Sequence, residues 1–548
     1  MPELIKRKDS IVSFFESKRN FYIVLLVSML IKNFPFGFRY FLFADDFNQY
    51  GTYALWREDL WNNVVKHFGL FGYRPLAGLT DVYIISRLWG SFAFVLFFMV
   101  ILHFLTIYLL DGIFEKSDIT WGRSAAVFFG FFPAMTESAY WISSSSRIVT
   151  SAFFAVAATF AILKYIYREG KHRAWFIIAI ICGLLAQGFY EQGVVFAFTL
   201  SLGALIVHRK AVKNKAIFAW PFVNLCIIGA HYYIFRDVGL LSERVPAAGA
   251  VGGFFQSIPV VLNRIITIFY KEQVPTILNS LRWGIGQLFR EHLPLSILVA
   301  VFSLLLAFFI LYDKPEDSGG ITRFHIRKKT AYSLLAGLGL TVCTLLLFFV
   351  LSASWVWVRN FYYALIGLGI FVEIVVALVS LDNKIIGLFI RIIKTAAAAA
   401  FTFIFFCGFI LEIDNLRNVE KYDNIIVTNL VAEIERMELT ETETIWLFGV
   451  RWSYAPQINP RITSQVRIDW ALNGHYRVFA GGRREPWIIP VMPDTAVDPD
   501  FKNSVSFGLD VDLNVRELVF DGLYLRFADT GTIFGRIETG GNVIFKAS

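Results

Sequence analysis

What constrains this chain most is a recurring pattern: runs of about 20 apolar residues, parted by short charged segments, from near the N-terminus to Leu411. Twenty helical residues rising 1.5 Å each cover about 30 Å, the thickness of the hydrocarbon core of a bilayer. Eleven such runs are centred on Leu26, Phe98, Phe129, Ala155, Ile180, Phe198, Ile227, Val301, Leu345, Ile370 and Phe403. Segments of this kind find their solvent in lipid, so the expected class is a polytopic membrane protein. Composition agrees, with 56% hydrophobic and 17% charged residues, where a soluble domain carries about 25% charged. A disordered chain, a collagen-like fibre and an ordinary cytosolic enzyme are excluded. Cys182, Cys226, Cys343 and Cys407 all lie inside apolar runs, which offers neither a disulfide framework nor a cysteine zinc site.

The net charge of +8 conceals two opposite balances: +13 over residues 1–412 and −5 over residues 413–548. The basic excess sits between apolar runs, so it reads as membrane topology and not as a nucleic-acid surface. With the N-terminus in the cytoplasm, the inner segments hold 23 Lys and Arg in 78 residues and the outer ones 11 in 122. That threefold bias places the N-terminus inside, and an odd number of spans places the C-terminus outside. The first run lacks the small-residue cleavage pattern of a removed signal peptide and is read as a retained span.

After the last run the character of the sequence changes. Leu416 to Met437 carries apolar residues at helical spacing with charges between them. Beyond Thr444 come short β-like runs, Ile445 to Phe448, Tyr476 to Phe479, Leu518 to Phe520, Leu523 to Phe527 and Val543 to Phe545, punctuated by Gly, Pro and Asn. The expected fold is therefore mostly α. About 11 transmembrane helices occupy residues 1–412, with a first outer loop over 36–79 and a long outer loop over 237–291. A linking amphipathic helix follows over 413–443, then a small β-rich extracytoplasmic domain over 444–548. Within the long outer loop, Ile258 to Phe269 and Ile277 to Leu288 read as membrane-surface helices.

Once this topology is drawn, the ionisable residues of the apolar region gather on the outer face. The first outer loop carries Asp45-Asp46 and then Tyr73-Arg74-Pro75-Leu76. The third run ends in Pro133 to Glu137, followed by Trp141-Ile142-Ser143 and Arg147. The turn after the fifth run holds Tyr190-Glu191-Gln192, and the turn before the tenth holds Trp355 to Tyr362, with Arg359. Acids and arginines at membrane depth cost about 2.5–3.5 kcal/mol each on insertion scales, so they pair or line a polar cavity. An ion pair with Arg147 would satisfy one of Glu137 and Glu191. His103, in mid-run, reads as a packed histidine rather than a metal ligand. The chain has no Walker-type phosphate loop, no G-x-G-x-x-G after a strand and no H-E-x-x-H.

These strings, in this order, resemble those of the polytopic glycosyltransferases of the GT-C class, relatives of the protein O-mannosyltransferases. Asp45-Asp46 stands for the acidic pair of the first outer loop, Tyr73 to Leu76 for the string after it, and Ile101-Leu102-His103 for the end of an apolar stretch in span two. Pro133, Glu137 and Trp141-Ile142-Ser143 match a further pattern, with Arg147 slightly beyond the usual arginine. Leu184 to Glu191 matches the small-residue run before a glutamate, although Gln187 to Tyr190 departs from the family there. The resemblance covers roughly residues 20–235 and the turn Arg359 to Tyr362.

The resemblance implies a GT-C-like fold in the cell membrane and transfer of a sugar from a polyprenyl-phosphate carrier to an envelope glycan, lipid or protein acceptor on the outer face. It assigns Asp45 or Asp46 as catalytic base, Asp45 being preferred, and Arg74, Arg147 and Arg359 as donors to the carrier phosphate. Glu137, Glu191, Tyr73, Trp141 and Tyr190 orient sugar or acceptor. No cofactor is required, the acidic pair permits a divalent cation without demanding one, and no nucleic acid is expected as a partner. Trp355, Trp357, Tyr362, Tyr363 and Tyr140 offer faces for a sugar, as they would for a membrane interface. Two rivals remain. A flippase for a lipid-linked sugar would show inverted repeats and polar groups at the midplane. A membrane-anchored binding protein would leave the spans as scaffold.

Overall fold

The computed structural model describes residues 12–43, 45–47, 53, 74–167, 173–212, 215–235, 250–313, 323–350, 356–378, 384–439, 444–454, 462–481, 486–493, 501–502, 504–537 and 543–545. The chain divides into two compact units. The first comprises Met1–Arg39, Asp59–Thr80 and Ser91–Leu411, and the second Tyr40–Glu58, Asp81–Gly90 and Glu412–Ser548.

The helices are α1 (Lys18–Asn33), α2 (Pro75–Tyr83), α3 (Phe92–Lys116), α4 (Arg123–Phe131), α5 (Ile142–Tyr167), α6 (Arg173–Phe189), α7 (Glu191–Val207), α8 (Ala219–Phe235), α9 (Ala250–Ile268), α10 (Val274–Trp283), α11 (Leu293–Leu311), α12 (Arg323–Leu345), α13 (Tyr362–Leu378), α14 (Lys384–Arg436) and α15 (Asp469–Phe479). Every one of the eleven expected centres falls on a helix, in chain order. Among the described residues six segments are long and apolar enough to cross a membrane: Ile85–Lys116, Ile142–Tyr167, Leu293–Leu311, Lys329–Phe349, Val358–Ala377 and Phe389–Arg436. The others are shorter. α1 has 16 residues, α6, α7 and α8 have 17 each, and α4 has nine. α4 stops early because Pro133 follows it; Phe132 turns out of the helix, and a 3₁₀ turn (Pro133–Met135) and a wider π-type turn (Thr136–Tyr140) lead into α5.

In the first unit several helices expose large apolar side chains, and small polar ones are among those they bury. α11 exposes Leu293, Ile297, Val301, Leu304 and Phe308 while burying Ser296 and Ser303. α9 and α10 follow the same rule, exposing Val260, Ile266, Leu278 and Leu281 and burying Thr276 and Ser280. Lipid is the solvent that rewards such an arrangement. α9 and α10 lie over the two stretches, Ile258 to Phe269 and Ile277 to Leu288, expected to be helical.

The second unit holds a seven-stranded sheet of β1 (Thr444–Phe448), β2 (Trp487–Val491), β3 (Val505–Leu509), β4 (Val515–Phe520), β5 (Tyr524–Phe527), β6 (Ile533–Ile537) and β7 (Val543–Phe545), in the order β2-β1-β3-β4-β5-β6-β7. β1 pairs in parallel with both β2 and β3, and the remainder is an antiparallel meander. Both faces of β1 are covered. Ile445 and Leu447 pack with Ile426, Leu430, Leu472 and Tyr476, and Trp446 and Phe448 with Phe501, Leu518 and Leu525. A strand buried on both sides reads as a continuous apolar run.

Two expectations for this region need correction. Tyr476 to Phe479 is the last turn of α15, not a strand: it continues the helical spacing of the buried Leu472, His475 and Tyr476. The amphipathic helix is not a separate linker either, since α14 runs unbroken over 53 residues from the last apolar run into the tail.

Candidate functional site

The first unit draws several of the predicted residues together. Arg74 stands immediately before Pro75, which opens α2, so its backbone leaves the helix and its side chain is aimed by that break. Glu191 is the first residue of α7. Tyr190 before it is extended, and this break separates α6 from α7 and puts the carboxylate at a helix N-terminus, where the dipole favours it. Gly193 makes the close approach possible: a Cβ there would lie 1.8 Å from Ser151 Oγ.

Arg74 Nε and Nη2 each donate to the Glu191 carboxylate at 2.5 Å. Both residues are buried, at 6% and 4% exposure. The Arg74 guanidinium also lies 4.3 Å above the ring of Tyr190. The Tyr190 hydroxyl accepts a hydrogen bond from Asn360 Nδ2 (2.9 Å), while Asn360 Oδ1 accepts from the Trp357 backbone N–H (2.7 Å). Gln192 Nε2 donates to the carbonyls of Asn360 (2.7 Å) and Thr344 (3.0 Å). One residue before Asn360, Arg359 faces Glu137, with Nε 3.8 Å from Oε1. Glu137 is buried in the π-type turn. Trp141 caps the next helix, its carbonyl accepting from the N–H groups of Ser144 (3.1 Å) and Ser145 (2.6 Å). Arg147 is half-buried on α5.

Arg74, Tyr190, Glu191 and Asn360, scattered over the sequence, thus form one buried array. Glu191 pairs with Arg74, and Glu137 faces Arg359, next to Asn360 in the chain. The sequence reading passed over Gln192 and Asn360 as site residues. Their signal was available: a carboxamide within an apolar run must find partners there. His103 is packed as a buried histidine, its ring against Phe129 (centroids 5.0 Å) and Nδ1 3.0 Å from the Tyr362 hydroxyl.

The acidic pair belongs to the second unit. Asp46 is buried and accepts hydrogen bonds from the Tyr40 hydroxyl and from the Phe43 N–H (3.1 Å). Asp45 is half-buried beside it. Tyr73 and Trp355 lie outside the described residues. Among the described residues no group of three or more His, Cys, Asp and Glu side chains could hold a metal ion.

Chemically, the Arg74–Glu191 pair is internally neutral and rigid, suited to holding a position. Arg359, with its side chain 27% exposed against 7% for Arg74, is the more accessible cation of the two. No protein-family model, no curated protein and no solved structure matches this chain.

Proposed function

We propose that this protein is a membrane glycosyltransferase that moves a sugar from a polyprenyl-phosphate carrier to an envelope glycan, lipid or protein acceptor on the outer face of the cell membrane. The observation that carries the reading is the gathering of Arg74, Glu137, Tyr190 and Glu191, all buried, with the more accessible Arg359 facing Glu137. Acids and arginines are costly among apolar helices and are kept where they serve a polar substrate. They fall at the positions singled out by the resemblance to GT-C enzymes. The reading includes an eleven-span path, in which the four helices of 16 and 17 residues, and α4 together with the turns that follow it to Tyr140, cross along with the six longer ones, the N-terminus cytoplasmic and the β-sheet domain outside.

In the reaction the acceptor hydroxyl oxygen attacks the anomeric carbon, and the bond from that carbon to the phosphate oxygen breaks. The electron pair leaves with the phosphate, giving free polyprenyl phosphate, and the acceptor proton passes to a carboxylate, for which Asp45 is the choice. Asp46, with its oxygen engaged by Tyr40 and Phe43, shapes the loop. The leaving phosphate is weakly basic, so a strong general acid is dispensable. Arg359 and Arg147 meet its charge by directed hydrogen bonds, and the Arg74–Glu191 pair fixes Tyr190 against the sugar.

The test uses membranes expressing wild type or Asp45→Asn at matched levels, a panel of labelled polyprenyl-phosphate sugars and a crude envelope acceptor fraction. Release of polyprenyl phosphate with one sugar, lost in the variant, is expected. Labelled lipid crossing the bilayer without release would replace the transferase by a flippase. Tags at the two termini, probed from each side of the membrane, test the topology.

A further inference from the structure

The second unit contains an arrangement that neither the acidic pair nor the sheet explains alone. It joins the loop around Asp45-Asp46, Tyr40–Glu58, to the C-terminal segment Glu412–Ser548. On the near side of the pair, the Leu42 N–H donates to Glu420 Oε1 on α14 (3.3 Å). On the far side, Phe47 is 1% exposed, with its ring stacked on the His475 imidazole of α15 at 4.2 Å and 17°. The stack depends on the residue before His475. A Cβ at Gly474 would lie 3.0 Å from the Phe47 carbonyl oxygen and 3.1 Å from its Cβ, so any other side chain would make the loop give by a few tenths of an ångström. The imidazole is itself held: Nε2 stands 2.7 Å from Asn424 Oδ1 on α14, and burial keeps the ring neutral, with its pKa held down at about 3. Asp423, the residue before Asn424, accepts from Ser464 Oγ (2.6 Å) and from the Gln465 N–H (2.7 Å), tying α14 to the segment that leads into α15.

We infer that the C-terminal domain is the mount of the acidic loop, with His475 and Gly474 as positioning residues that fix where the Asp45 carboxylate stands. Three residues before Asp45 the backbone is tied to α14 through Glu420, and two residues after it the Phe47 ring is stacked on α15. A pair clamped on both flanks has little freedom of its own, and a carboxylate acting as base needs its position set to within a fraction of an ångström. This assigns the domain to the chemistry of the acid pair. The inference rests on the transferase reading for its catalytic part and stands on geometry alone for the mount.

Two experiments separate those parts. In the full chain with the four native cysteines replaced, Phe47→Cys and Gly474→Cys place two Cβ atoms 3.1 Å apart, and the few tenths of an ångström by which the loop gives bring them to the about 3.5–4.5 Å of a disulfide. With a protease site inserted between Asp313 and Arg323, the two fragments are expected to stay joined until reductant is added. Fragments that part without reductant would overturn the mount. In the polyprenyl phosphate release assay, His475→Ala is expected to lower kcat by about 10- to 100-fold with the donor KM within about twofold, and His475→Phe, which restores a ring for Phe47 to stack on, is expected to recover most of it. Unchanged kcat in His475→Ala, or no recovery with Phe, would overturn the positioning role. Wild type inert toward every donor, with the cross-link formed, would remove the transferase reading and leave the mount standing.

Discussion

Arg74 and Glu191 give the sharpest test of the array in the first unit. Two hydrogen bonds of 2.5 Å join them, and both are buried. Glu191→Ala leaves a guanidinium with no carboxylate to answer it, and Arg74→Ala leaves the carboxylate. Breaking a buried pair from one side costs about 3–5 kcal/mol, chiefly because the survivor keeps its charge. Arg74→Ala also loses the Tyr190 face, worth about 1 kcal/mol more. The double variant removes both charges at once. It is expected to lose no more than either single, a coupling of about 3 kcal/mol. Denaturant unfolding of the full chain in micelles, followed by tryptophan fluorescence, measures all four corners of the cycle. A buried pair is little screened, so the coupling should hold from low to high salt. Costs that simply add, or a coupling that fades with salt, would show that the two residues do not form one buried unit.

Three further outcomes follow from particular contacts. Both donors to Asp46 reach the same carboxylate oxygen, so Asp46→Asn, which can present one oxygen there, should retain more release activity than Asp46→Ala; equal losses would show that charge, not the turn, is what Asp46 supplies. Gly193→Ala, whose new Cβ would meet Ser151 Oγ, should destabilise by about 1–3 kcal/mol and be relieved by adding Ser151→Gly; a neutral single variant would refute the close approach. Because burial lowers the His475 pKa from 6.5 to about 3, its neutral form contributes stability that is full above about pH 6.5 and is lost as pH falls toward 3, by about 1.4 kcal/mol per pH unit. Wild type minus His475→Phe, followed by hydrogen exchange in β1 and β3 of the full chain, should show that slope, and parallel pH profiles would contradict it.

The helices were legible because burial in lipid demands long apolar runs whatever the fold, and all eleven centres are helical. Their ends were less so. α14 contains no proline, and neither Gly387 nor Gly408 stops it, so charges after Leu411 mark a change of surroundings without ending the helix. In the tail, Tyr-Arg-Val-Phe alternates like a strand, yet the four residues are too few to distinguish a period of 2 from one of 3.6. β2 was missed since Pro490 argues against a strand; β2 is an edge strand, the place in a sheet that tolerates proline.

The site divides along the same line between composition and proximity. That Glu137 and Glu191 need partners followed from their apolar surroundings. Which partners they take depends on chain crossings 222 and 117 residues long, which a single sequence does not encode locally. The difference changes the chemistry. Arg74, read from the sequence as a phosphate donor, has its Nε and Nη2 on Glu191, and pulling it to a phosphate would strand a buried carboxylate. Arg359, with its side chain 27% exposed and its Nε 3.8 Å from Glu137 Oε1, is the more accessible of the two guanidiniums to a phosphate, which would engage it by charge-assisted hydrogen bonds. Arg359→Ala should therefore raise the donor KM by about tenfold or more, the worth of one charged hydrogen bond of about 1.5–3 kcal/mol, with stability nearly unchanged, whereas Arg74→Ala should act first on stability. Donor titrations of the two variants in the release assay decide it: a larger KM effect at Arg74 would return the phosphate to that residue and make Glu191 its gate.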